Sequence, residues 1–247
     1  MSNDSRSQRS PGCAENTAPR QAVIVFARSP APGRTKTRLI PALGPERAAE
    51  LYRCFLLDTL DAVRGLPADV ILAAADVQDV AALSDALDAY SLTSELVVQS
   101  GADLGDRITR AAADVLSAGY TAVIVIGTDA PDLPCHLLVQ ALDLISSHDV
   151  VLGPSLDGGY YLIGLRAAEP ALFHGVAWSS QTTLSDTIER ARGLGLTVAL
   201  LEPWRDVDTP EDLSALRERL AARTAIGDQV HCRRTWGLLC GTGADSE

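Results

Sequence analysis

From residue 22 to about residue 222, short apolar runs alternate with longer stretches in which apolar residues recur at helical spacing. The first run, AVIVFA (22–27), is apolar at every position and rich in β-branched residues, the pattern of a strand covered on both faces. GPERAAELYRCFLLDTLDAV (44–63) then changes period, setting Leu51, Phe55 and Leu56 on one helical stripe. The alternation continues with a strand at 69–75, a helix at 77–90, a short strand at 95–99 and a helix at 104–117. TAVIVIG (121–127) is the most strongly strand-like run of all. After it come a helix over 134–147, strands at 149–154 and 159–165, a helix over 181–193, a strand at 197–201 and a closing helix over 210–222. Such alternation predicts a single three-layer α/β/α domain around a mostly parallel sheet, spanning 21–223. Residues 1–20 read as a disordered tail, and 224–247 carry no assignable periodicity. In sheets of this kind ligands gather beyond the carboxyl ends of the strands, so the loops there come under scrutiny first.

Charge narrows the partners. A net charge of −11 argues against nucleic acid or an anionic membrane as a partner. No apolar run is long enough to span a bilayer. The five cysteines form no C-x-x-C pair, and the first residues lack an apolar signal core, so a cytoplasmic location is the expectation. Of the 21 cationic side chains only one is a lysine, Lys36. It lies in ARSPAPGRTKTRL (27–39), inside a span from Asn16 to Pro45 that holds Arg20, Arg28, Arg34, Lys36 and Arg38 but no acid. Two prolines and a glycine stiffen this loop, which lowers the entropy cost of ordering charges around a ligand. Alternate spacing in an extended segment would turn Arg34, Lys36 and Arg38 toward one diphosphate. A merely solvated loop is the plainer alternative.

Four further loops carry candidate chemistry. In IGTDAPDLP (126–134), Asp129 falls just past the strand, where one carboxylate plus substrate phosphates suits magnesium. Asp132 reads instead as a cap or structural group. In WRDVDTPEDL (204–213), Asp206 and Asp208 precede a clear helix start and project to one side, able to complete a metal site with Asp129. GPSLDGGYYLIGL (153–165) offers Asp157 to an acceptor, or as a base, with Gly158, Gly159 and Tyr160 against the substrate. Asp-Gly equally marks an ordinary hairpin. QSGADLGDRITRAA (99–112) sets Gly101, Asp103 and Gly105 at a helix N-terminus, a natural edge for a nucleotide phosphate. His136, His148 and His174 fit no catalytic pattern.

Together, VFARSPAPGRTKTRL, GADLGDRI, VIVIGTDAPDLP, DVVLGPSLDGGYYLIGL and WRDVDTPEDL resemble the arsenosugar-biosynthesis-type glycosyltransferases over about residues 22–215. The resemblance implies a nucleotide-diphospho-sugar transferase (GT-A-like) fold. It also implies phosphate contact by Arg34, Lys36 and Arg38, and Mg²⁺ or Mn²⁺ on Asp129 helped by Asp208. TKTRL and DVDTPEDL are also similar to segments of molybdenum-cofactor and phospholactate guanylyltransferases, which share that fold. The chain has TDAPD in place of a strict D-x-D and lacks the full G-G-x-S-x-R-M loop. The expectation is a metal-dependent glycosyltransferase taking a nucleotide sugar and a small-molecule acceptor. A nucleotidyltransferase that releases pyrophosphate is the alternative, and a non-catalytic nucleotide-binding protein the second one.

Overall fold

A computed structural model describes residues 20–90, 95–227 and 230–241. The expected N-terminal tail therefore lies outside the described residues, apart from Arg20. Seven strands are found among them: β1 (Gln21–Ala27), β2 (Asp69–Ala74), β3 (Glu95–Val98), β4 (Ala122–Ile126), β5 (Val150–Pro154), β6 (Tyr160–Leu165) and β7 (Val198–Leu200). They join in one sheet in the order β3-β2-β1-β4-β6-β5-β7. All pairs are parallel except the two made by β6, which runs antiparallel to both β4 and β5. The principal helices are α1 (Ile40–Leu43), α2 (Pro45–Arg64), α3 (Val80–Tyr90), α4 (Leu104–Ser117), α5 (Cys135–Leu144), α6 (Thr183–Gly193), α7 (Pro210–Ala225) and α8 (Arg233–Cys240).

The unbroken apolar runs are explained by cover on both sides. In β1, Val23, Val25 and Ala27 face a core shared with α2, α3 and α5, while Ala22 and Ile24 face a second core built on α4 and α6. β6 obeys the same rule. Tyr161 enters the first core and Tyr160 packs against the second, so the doubled tyrosine sends one ring to each core, where a one-sided strand would send one to solvent. The result is one α/β domain of three layers.

A third, smaller core lies beside the sheet. Leu39, Leu51, Phe55, Val207, Leu216, Leu220 and Cys232 make it, with Trp236 of α8 packed against them. α8 comes from the stretch in which no periodicity was legible. It docks on α2 because the buried carboxylate of Asp58 accepts hydrogen bonds from the backbone N–H groups of Arg234 (3.2 Å) and Thr235 (2.9 Å). These are two of the unpaired donors at the start of a helix.

Strand order reverses between β1 and β4, the switch point of a doubly wound sheet. Val25 pairs with Ile126, so the loops leaving β1 and β4 emerge side by side. Tyr52 of α2 ties them, its hydroxyl accepting from the Arg28 N–H (2.9 Å) and the Thr128 Oγ1 (3.0 Å). The segment after β7 is drawn to the same place by backbone bonds from Trp204 to Pro154 (2.9 Å) and from Val207 to Asp129 (2.8 Å). Three loops from distant parts of the chain thereby meet at one end of the sheet.

Candidate active site

A cleft of about 720 Å³ opens where these loops meet, with Arg34, Lys36, Arg38, Asp129, Asp206 and Asp208 in its wall. The lone lysine is buried in that wall. The Lys36 ammonium donates to Asp129 Oδ1 (2.5 Å), Asp208 Oδ1 (2.9 Å) and the Val207 carbonyl (2.6 Å), and its ring neighbour is Phe55, 5.5 Å from the nitrogen. The lysine side chain is 4% exposed, whereas the two carboxylates keep 46% and 43% of their surface open to the cleft. Burial alone would lower the lysine's pKa, but the two aspartates outweigh it and hold the ammonium above its ordinary value.

This geometry corrects the extended-segment reading of the loop. Residues 32–34 form a turn, Lys36 adopts a left-handed backbone (φ 46°, ψ 44°), and Thr37–Leu39 closes a 3₁₀ turn. A non-glycine residue in that region is uncommon and costs energy that its surroundings must offset. Here the inward ion pairs do so. The three cations consequently do not face one ligand together. Lys36 turns in, Arg38 stays 71% exposed at 4.0 Å from Asp208, and Arg34 leans the other way toward Gln78 (3.4 Å) and Asp79 (3.7 Å).

Asp206 stands behind the pair. Ser155 Oγ donates to its carboxylate (3.0 Å), and burial together with Asp129, Asp157 and Asp208 pushes its pKa up to about 7. Asp132, three residues from Asp129, belongs to the scaffold, as the sequence suggested, though as an ion-pair partner and not as a cap. It is buried, receives two bonds of 3.1 Å from the Arg219 guanidinium of α7 and one of 3.3 Å from the Trp204 indole.

Several of the expected ligand contacts have architectural duties in the fold. Asp157 accepts from the Gly159 N–H (3.0 Å), closing the turn before β6, and is not part of the cleft wall. Gly158 has φ +94°, and a side chain there would run into the backbone of Gln181. Gly159 needs only room beside that turn, where an added Cβ would lie 3.3 Å from the Asp157 carboxylate. Tyr160 does line the cleft, edge-on to Trp178 at 6.4 Å. Asp103 also lines it, while acting as N-cap of α4 by accepting from the Asp106 N–H (2.9 Å). Gly101 (φ +144°) turns tightly over the Arg107 backbone, and Gly105 lets α4 lie against Phe173 and Trp178, 2.6 and 2.7 Å from where a Cβ would sit. None of the three surface histidines borders the cleft; His148 Nδ1 lies 3.1 Å from the Leu144 carbonyl.

Sequence reasoning missed Arg107. It lines the main cleft and, with Arg28 and Arg34, a side cavity of about 150 Å³ in which Asp76 and Asp79 stand opposite. A signal existed: an arginine one turn into a helix opposes the usual preference for acids near the N-terminus.

A mixed sheet of this order, with carboxylates and cations converging past the β1 and β4 ends, defines the class as the nucleotidyltransferase and GT-A-like transferase superfamily. Within it, the chain belongs to the family described as an uncharacterized protein conserved in bacteria (DUF2064), whose model matches residues 57–180. Among solved structures, a presumed nucleotide-diphospho-sugar transferase from Desulfovibrio desulfuricans G20 is 33% identical, with 90% of this chain and 94% of that one aligned at a TM-score of 0.79. The 4-diphosphocytidyl-2C-methyl-D-erythritol synthase of Anaerococcus prevotii DSM 20548 shares the fold at 14% identity, over 82% of this chain and 96% of its own, with a TM-score of 0.57. By sequence the chain is 29% identical over 198 residues to the 3-phospho-D-glycerate guanylyltransferase of Phenylobacterium zucineum (strain HLK1), covering 77% of this chain and 88% of that one. These likenesses support an enzyme of the superfamily related to guanylyltransferases, a broader class than the arsenosugar-type family that the motifs resemble. No helix among the described residues is long and apolar enough to cross a membrane.

Proposed function

We propose that this chain is a nucleotidyltransferase, which moves a nucleoside monophosphate from a nucleoside triphosphate onto a phosphate of a small acidic acceptor and releases pyrophosphate. The observation that carries the reading is that one cleft is walled both by the carboxylates Asp129 and Asp208, joined on Lys36, and by Arg28, Arg34 and Arg107, which also line the adjoining side cavity with Asp76 and Asp79. A polyanion that carries a metal suits such a mixed wall. The resemblance to a guanylyltransferase adds support.

The donor set fits a hard cation. Asp129 and Asp208 both reach one nitrogen, face the cleft, and offer only oxygens. No group of three or more potential ligands is found among the described residues, so further coordination would come from phosphate and water, as is usual for Mg²⁺. Bound there, Mg²⁺ or Mn²⁺ would neutralise charge on the phosphates undergoing transfer. Arg28, Arg34 and Arg107, which share the side cavity, would hold the triphosphate, forked donors matching its oxygens. Asp103 and Tyr160 border the cleft where nucleotide and acceptor would lie. A phosphomonoester acceptor is already largely ionised at neutral pH, so no general base is required. That agrees with Asp157 being engaged by the Gly159 N–H.

Glycosyl transfer from a nucleotide sugar is the second reading, favoured by the 33%-identical presumed nucleotide-diphospho-sugar transferase. The two differ in their products. The chain should release pyrophosphate from a nucleoside triphosphate in the presence of 3-phosphoglycerate or a related phospho-acid. Asp129→Ala should slow this by about 10²–10³ while the protein stays folded. Nucleoside diphosphate formed from a nucleotide sugar, with no pyrophosphate from any triphosphate, would replace the first reading with the second. Binding without turnover would leave only a nucleotide-binding protein.

A further inference from the structure

Lys36 has three N–H donors and all three are engaged, by Asp129, Asp208 and the Val207 carbonyl. None remains for a phosphate. The same ammonium draws on one oxygen of each carboxylate expected to hold the metal, and it is almost wholly buried. A divalent ion between these two carboxylates would lie within a few ångströms of that ammonium, a like-charge contact that disfavours both occupants. We infer that Lys36 is the resident counter-cation of Asp129 and Asp208, and that it must release both before a divalent ion can bind there.

Three features of the loop suit such an exchange. The residue is a lysine in a chain whose other 20 cations are arginines, and a compact ammonium on a four-carbon stem can swap partners where a rigid fork cannot. Its backbone is held left-handed, which aims the side chain inward without help from regular structure. Its partners on the carboxylate side remain open to the cleft, so the ammonium can leave toward a ligand without unpacking the core. A nucleotide's phosphates would supply the new partners. Metal and nucleotide would then bind with positive coupling, each favouring the displaced lysine. This part rests on the nucleotide reading above; the competition between lysine and metal does not.

Manganese titrations followed by electron paramagnetic resonance test the competition directly, on the full chain without nucleotide. Lys36→Met should bind Mn²⁺ at least tenfold more tightly than the parent, and Lys36→Ala should behave alike. Adding Asp129→Asn to Lys36→Met should abolish the gain. Equal affinity in parent and variants, no binding in any of them, or a gain that survives Asp129→Asn would each overturn the inference. Near-ultraviolet circular dichroism checks that the variants keep their fold. Because the chain has one lysine, ¹⁵N-lysine labelling of a lysine-free-tagged protein yields a single ammonium resonance. That signal should move as diamagnetic Mg²⁺ is titrated into metal-free protein, and α,β-methylene-GTP should shift the midpoint to lower Mg²⁺. Equal midpoints with and without the analogue would contradict the coupling. Calorimetric titration of the same analogue in chelator tests nucleotide binding separately, so failure of the functional reading is told apart from failure of this one.

Discussion

Asp206 shows how far a single side chain is governed by its neighbours. Read along the chain it is one acid of DVD; in the fold it is enclosed, bonded by Ser155 and faced by Asp129, Asp157 and Asp208. Its folded-state pKa of about 7 lies above the unfolded value of 3.8, so between those limits the folded protein binds the extra proton. Stability must therefore fall as pH rises from about 4 to about 7, by a few kcal/mol at most. In metal-free protein, Asp206→Asn should flatten that slope and raise the melting temperature at pH 7 relative to the parent. Thermal unfolding across pH 4–8 reads this, and parallel curves for the two proteins would refute it. The lysine teaches a similar lesson. Its solitary status was visible in the sequence, and its role as a cation among carboxylates was not, because Asp129 and Asp208 are brought to it across 93 and 172 positions.

Among the elements, those buried on both faces were the easiest to read. β1 and β4 are apolar at nearly every position because helices cover both sides of the sheet, and of the α2 stripe Leu56 rests on the sheet while Leu51 and Phe55 fill the third core beside it. Where local pattern competes with long-range contacts, reading failed. Alternating cations suggested an extended loop, yet a turn, a left-handed residue and a 3₁₀ turn stand there, since burying the Lys36 ion pairs decides the backbone. α8 spans only Arg233–Cys240, too short to display a period, and its N-terminus is satisfied by Asp58 of α2. Two element-level predictions follow from packing. Arg219→Met should cost about 3–5 kcal/mol, because it leaves the buried Asp132 carboxylate without its charge partner between α7 and the β4 loop. Gly105→Ala should cost about 1–3 kcal/mol, since the added methyl meets Phe173 and Trp178. Denaturant unfolding measures both, and changes under 0.5 kcal/mol would contradict the assigned contacts.

At the scale of the molecule, the third core couples the end of the chain to the cleft. Leu39 follows the lysine turn and Val207 supplies its carbonyl; both are packed in the cluster that α8 covers. Ending the chain at Gly227 should strip Trp236 and its leucine neighbours from that cluster, destabilising the fold by several kcal/mol. It should also weaken nucleotide binding at temperatures where the shortened protein is still folded. Unchanged affinity in the truncated chain would show the two to be independent.

The sequence by itself determined the strand and helix alternation, the three-layer class and the loops in which function would reside, because these follow from local periodicity and burial. Tertiary structure alone decided which loop residues meet. Strand order set the β1 and β4 loops side by side, and backbone bonds from Val207 and Trp204 drew in the segment after β7. Charge pairing across such distances has no periodic signature; it exists only once the sheet has brought the partners within a few ångströms, where desolvation makes each contact count.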